Sequence, residues 1–145
     1  CLEVQLPFVQ YLFPNAGILP ILMGSPATPT VTTLAQALSR IDEMFDGSLL
    51  YVVSSNMTGY REVQTAKDEA TRLINLLLEG EWKEMLKSHR ERRLSTHGVG
   101  CLAAFLSFAA QRFSPELLSR QNSFPQNPDV QRVVEYASFA FFTTD

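Results

Sequence analysis

The sequence predicts an α/β fold, a mainly parallel sheet flanked by helices. Two continuous apolar runs, residues 18–23 and 49–54, have the length and composition of strands buried on both faces. Amphipathic helical patterns follow each of them, at residues 30–45 and 62–79. Helix, strand, helix, strand in this order implies right-handed crossovers between parallel neighbours.

Each element has its own signal. Residues 2–13 carry Leu2, Leu6, Val9, Tyr11, Leu12 and Phe13, which fits a helix begun near Glu3 and stopped before Pro14. The run at 18–23 ends at Gly24-Ser25-Pro26. The next helix places Leu34, Ala37, Leu38, Ile41 and Phe45 on one face, and Asp46-Gly47 closes it. In the long helix, Ala66, Ala70, Leu73, Ile74 and Leu77 point inward, and Gly80 suits its C-terminal turn. A short helix is expected at 81–89 and a buried one at 97–113, ended by Ser114-Pro115. Strands at 116–122 and 133–143 flank a Pro-rich loop at 124–129.

Composition narrows the function classes. A chain of 145 residues suffices for one domain with a real core. Its net charge of −3 gives no argument for nucleic acid or an anionic membrane. No apolar run approaches the roughly 20 residues needed to span a bilayer. With no signal-peptide pattern, the expectation is a soluble, cytoplasmic protein. The chain starts at Cys1 without an initiator Met, which reads as a piece of a longer protein ahead of a lipoprotein acylation point. Cys1 and Cys101 make no disulfide framework, and Cys101, among small apolar residues, reads as a buried structural thiol.

Two stretches carry more than composition does: Leu2-Glu3-Val4-Gln5-Leu6-Pro7-Phe8 and Val52-Val53-Ser54-Ser55-Asn56-Met57-Thr58-Gly59-Tyr60. They resemble the two signatures of the Memo-like family, known in bacteria as AmmeMemoRadiSam system protein B. The first signature reads roughly E-H-S-x-E-x-x-L-P and the second S-S-D-x-S-H-Y. Leu19-Pro20-Ile21-Leu22-Met23-Gly24 is similar to the family's I-x-P-I-x-x-G strand. Residues 94–100 resemble its C-G-x-x-P-I-G turn, and the tail from Ser119 to Phe141 resembles its closing pair, with Tyr136-Ala137 in place of S-Y-A. The alignment falls on the C-terminal half of domains about twice as long.

The resemblance implies the fold of class III extradiol dioxygenases and a pocket where two His and one Cys bind a metal. Neutral imidazoles and a thiolate are strong donors for a borderline or redox-active ion. Here the Cys position is Leu94, the Asp and His positions of the second signature are Asn56 and Gly59, and both ligand histidines would precede Cys1. The resemblance therefore implies a scaffold without its metal site, and no metal or cofactor is expected.

The remaining pocket candidates are Glu3, Ser54, Ser55, Asn56 and His97. Glu3 matches the second Glu of the first signature, beside the implied pocket, and its expected role is a structural contact. Ser54 and Ser55 lack a His to activate them, so loop and helix capping is the better reading than nucleophilic chemistry. Asn56 keeps the shape of Asp without its charge. His97 lies in the turn facing the implied pocket, and a backbone-bonded residue at a helix start is preferred to a ligand. His89, among Lys87, Arg90, Arg92 and Arg93, is expected to satisfy the last carbonyls of its helix.

These readings converge on a degenerate Memo-like module, a pseudoenzyme that binds another protein chain, a second copy or a ligand. The alternative is a metal-dependent enzyme of the Memo or dioxygenase type with its ligands upstream of residue 1. A small-molecule binding module using the old pocket is the third reading.

Overall fold

The structure is a computed structural model that describes residues 2–46, 48–110, 112–124 and 131–144. Cys1 and most of the Pro-rich loop lie outside the described residues. Among the described residues, five helices precede one antiparallel strand pair: α1 (Leu6–Leu12), α2 (Thr28–Met44), α3 (Val63–Leu78), α4 (Trp82–Arg90), α5 (Val99–Ala109), β1 (Phe113–Asn122) and β2 (Glu135–Thr143).

The sequence explains where the helices begin and end. Pro residues occupy the first turns of α1 and α2, where their missing N–H costs nothing. The Glu62 carboxylate caps α3 by accepting the amides of Gln64 and Thr65, each at 3.0 Å. At its other end Gly80 takes φ +70°, while the Glu81 and Gly80 amides donate to the carbonyls of Leu76 and Leu77. That is a Schellman closure. Helix α4 ends in the same way, with Arg92 in the left-handed position at φ 59°. There the Arg93 and Arg92 amides take the carbonyls of Ser88 and His89. These backbone bonds, rather than the His89 ring, terminate the helix, and His89 Nδ1 is buried with no hydrogen-bond partner among the described residues.

Helix α5 is the centre of the core. Eight of its residues are buried, and among the helices and strands it packs against α2 and α4. Leu73, Met85, Val99 and Ala103 form one apolar cluster with Leu94 and Met57. A second cluster is aromatic: Tyr51 lies 4.9 Å from Phe108, and Phe105 meets Phe141 edge-on at 4.9 Å. Cys101 is half-buried rather than buried, one helical step round from the fully packed Gly100. A Cβ on Gly100 would collide with Met23 Sδ and stand 3.2 Å from Pro26 Cα, so the missing side chain lets residues 23–26 lie against α5.

The expected parallel sheet is overturned. Residues 18–23 and 49–54 are irregular, and among the described residues the only sheet is the antiparallel pair β1–β2. A strand needs a lateral neighbour for its amides and carbonyls, and among the described residues neither segment has one. Their outward side chains face solvent, with Leu19 69% and Leu50 68% exposed. The C-terminal strands are where the sequence put them, although β1 starts at Phe113, paired with Thr143. Pairing shortens α5 to Ala109 and draws Ser114-Pro115 into the strand, where an outer strand tolerates a Pro. The register shifts between Leu117 and Ser119, a bulge that leaves Leu118 exposed. Helix α1 begins three residues later than expected and has no buried residue.

Candidate functional site

The polar residues singled out by the sequence meet where residues 55–59 cross the turn 95–98. Asn56 Oδ1 accepts the His97 amide at 2.8 Å, and Asn56 Nδ2 donates to the Thr58 carbonyl at 3.1 Å. Ser55 Oγ accepts the Gly98 amide at 3.1 Å and lies 2.9 Å from Thr96 Oγ1. Thr96 donates to the Asn56 carbonyl at 2.6 Å. That bond uses the only hydrogen of the Thr96 hydroxyl, so Ser55 is the donor to Thr96 or to the Asn56 carbonyl. Thr96 and Thr58 are fully buried, so these bonds are sheltered from water.

A second set of bonds braces the crossing. Ser95 Oγ accepts the Gly59 amide at 2.9 Å and donates to Glu69 Oε2, while Glu69 Oε1 holds Arg61 Nε at 3.2 Å. Arg61 forms a backbone bridge with Val133, and the Glu135 amide donates to Thr58 Oγ1 at 3.3 Å. Residues 55–61 are thus fastened to the turn on one side and to the start of β2 on the other.

The five candidates separate into a core and a margin. Ser55, Asn56 and the His97 backbone come together; the His97 side chain is at an exposed position, and its recorded bond at the crossing is through the amide. Ser54 Oγ instead accepts Gln5 Nε2 at 3.3 Å, which ties α1 to the end of the apolar segment. Glu3 lies two residues from that link and is exposed; a hydrogen bond from its own backbone holds its carboxyl below the usual range. Sequence reasoning missed Thr58, Glu69, Ser95, Thr96 and Gly98. Gly98 had a signal, because it occupies the Pro position of the resembled turn, but Glu69 comes from mid-α3 and had none.

The donor chemistry does not fit a metal. Leu94 is 2% exposed and packs with Met57 and Val99, Gly59 offers no donor, and both polar ends of the Asn56 amide are engaged. Among the described residues no group of three His, Cys, Asp or Glu side chains could hold an ion. A separate polar cleft of about 390 Å³ is lined by Gln64, Lys67, Asp68, Arg120 and Glu135 among others. Within it Arg120 is bound to Glu135, Thr71 and the Lys67 carbonyl.

The Memo-like protein family model matches residues 1–140. The chain belongs to the Memo-like family. A MEMO1 family protein of Caldivirga maquilingensis is 31% identical over 97% of the chain and 51% of its own length. Another from Methanosarcina acetivorans is 31% identical over 94% of the chain and 52% of its own length. One from Thermoplasma acidophilum is 25% identical over 94% and 50%. The chain therefore spans about half the length of the curated relatives it matches. No solved structure matches it. Among the described residues no helix is long and apolar enough to cross a membrane.

Proposed function

We propose that this chain is a degenerate Memo-like module, part of a Memo-like domain, that works in the cytoplasm by binding another polypeptide rather than by catalysis. The observation that carries the reading is the use to which the crossing puts its polar groups. Asn56 spends its carbonyl on the His97 amide and its NH₂ on the Thr58 carbonyl. Both ends of the amide are committed to holding two chain segments together, and the side chain carries neither a charge nor a titratable proton with which to do acid–base chemistry. Asn in place of Asp also removes a base while keeping the bonding shape, which favours a latch over a proton carrier.

Elemental analysis after exhaustive dialysis tests the reading. Well below one equivalent of iron, copper or zinc per chain is expected, and about one equivalent would overturn it.

A further inference from the structure

We propose that the polar cleft between α3 and the β1–β2 pair binds a small zwitterion, a free α-amino acid whose ammonium meets Glu135 and Asp68 and whose carboxylate meets Lys67 and Arg120. The cleft shares no lining residue with the crossing of 55–59 and 95–98, and the inference stands without the polypeptide-binding reading.

The argument starts from a buried charge. Glu135 opens β2 and is 2% exposed. Its Oε2 accepts Arg120 Nε at 2.9 Å, while Oε1 is buried with no hydrogen-bond partner among the described residues. An Arg–carboxylate pair commonly engages both oxygens. Here the guanidinium is held elsewhere, because it also donates to Thr71 Oγ1 and to the Lys67 carbonyl, each at 2.9 Å. An unbonded, desolvated carboxylate oxygen is costly, and a donor from a bound molecule would satisfy it. Oε1 is out of reach of solvent, so seating that donor takes a rotamer shift at the rim, where Gln64 and Gln121 are exposed.

The surroundings select the ligand's charge. The cleft is about 390 Å³, in the lower part of the range for small-molecule sites. Lys67 and Arg120 balance Asp68 and Glu135, so a ligand of one sign gains little from the site as a whole. A molecule that carries both signs finds a partner for each. Among the described residues Arg120 uses three of its five N–H donors, which leaves two for a carboxylate on the same side of the cleft as the Lys67 ammonium. Asp68 accepts Gln64 Nε2 at one oxygen, at 2.9 Å, and has its second for an ammonium. The amides of Gln121 and Gln64 suit a polar side chain better than an apolar one.

Nuclear magnetic resonance of the isotope-labelled 145-residue chain, titrated with L-glutamine, reads the answer. Amide signals of residues 64–71, 120–122 and 135 should shift, with half-saturation below about 1 mM. N-acetyl-L-glutamine lacks the ammonium and L-glutaminamide lacks the carboxylate, so each should bind more than about tenfold more weakly. Asp68→Asn and Lys67→Met, both at exposed positions, should weaken L-glutamine by more than about tenfold and leave the far-UV spectrum intact. No shift at about 10 mM L-glutamine would overturn the proposal, as would equal binding of the two blocked analogues. Shifts confined to residues 55–59 and 95–98 would overturn it by placing the ligand at the crossing. Tighter binding of glucose, putrescine or succinate than of L-glutamine would overturn it in favour of a neutral, cationic or anionic ligand.

Discussion

Gly98→Ala puts the polar crossing to its sharpest test. Gly98 has φ −83° and ψ 15°, which alanine adopts without strain, so backbone propensity alone favours the substitution by about 0.4–1 kcal/mol. Sterics oppose it. The new Cβ would collide with Ser55 Oγ, lie 2.5 Å from Ser55 Cβ and stand 3.3 Å from its Cα. Relief requires Ser55 to move, at an overpacking cost of about 1–3 kcal/mol. Movement also loosens the bonds of Ser55 Oγ to the Gly98 amide and Thr96 Oγ1, each worth about 1 kcal/mol net. The balance is a loss of about 2–4 kcal/mol, a drop of roughly 1–2 M in the urea midpoint at constant slope.

Circular dichroism in urea measures it, and two further variants locate the cause. Ser55→Gly removes the nearest obstacles, so adding Gly98→Ala in that background should cost less than about 1 kcal/mol, a coupling of at least about 1 kcal/mol. Gly59→Ala should change stability by under about 0.5 kcal/mol, because its nearest neighbour would be Ser95 Oγ at an ordinary 3.7 Å. Gly98→Ala with wild-type stability, or with the same cost in both backgrounds, would refute the account of the crossing.

Asn56→Asp, which restores the family's letter, should destabilise the chain by about 1–3 kcal/mol, because a carboxylate keeps the His97 bond but faces the Thr58 carbonyl without a hydrogen to give. A variant as stable as the parent in urea would contradict this. Tyr51, partly buried and bonded to Asp42, has its phenol pushed from 10.0 to about 12. Its native form holds the proton more tightly than the unfolded chain, so its contribution is intact below pH 10 and lost as pH rises toward about 12; an alkaline absorbance titration should find one late tyrosine, absent in Tyr51→Phe. Arg92→Gly should stabilise by about 0.5–1 kcal/mol, since it relieves a left-handed residue that closes α4; lower thermal stability would contradict it.

Helices α2, α3 and α4 were legible because each buries one side. Leu73, Ile74 and Leu77 recur at the helical period, and Gly80 has the backbone freedom that its positive φ uses. The segments at 18–23 and 49–54 were misread for a physical reason: an apolar run reports what side chains avoid, whereas a strand is defined by the neighbour its backbone bonds. The strands 116–122 and 133–143 were read correctly because the neighbour lies within the same chain. At the crossing, a 2.8 Å bond joins Asn56 to the His97 amide, two positions about 40 residues apart that the resemblance names as parts of one pocket. It gave no sign that His97 would act through its amide, or that Glu69 would brace the turn. Both depend on packing between α3 and the loops, which no local pattern encodes.

Polar groups turned inward and apolar groups turned outward form one argument about what the chain needs. Burying the solvent-facing parts of Leu19, Leu22, Leu50 and Val52 would stabilise a complex by about 1–2 kcal/mol each. Together they are of the same order as the lower estimates for the freedom lost on association. Side chains alone therefore bring a partner only to the threshold of binding. The crossing has the complementary role, because Ser55 and Asn56 immediately follow residues 49–54, and their bonds to residues 96–98 fix one end of that segment against the start of α5.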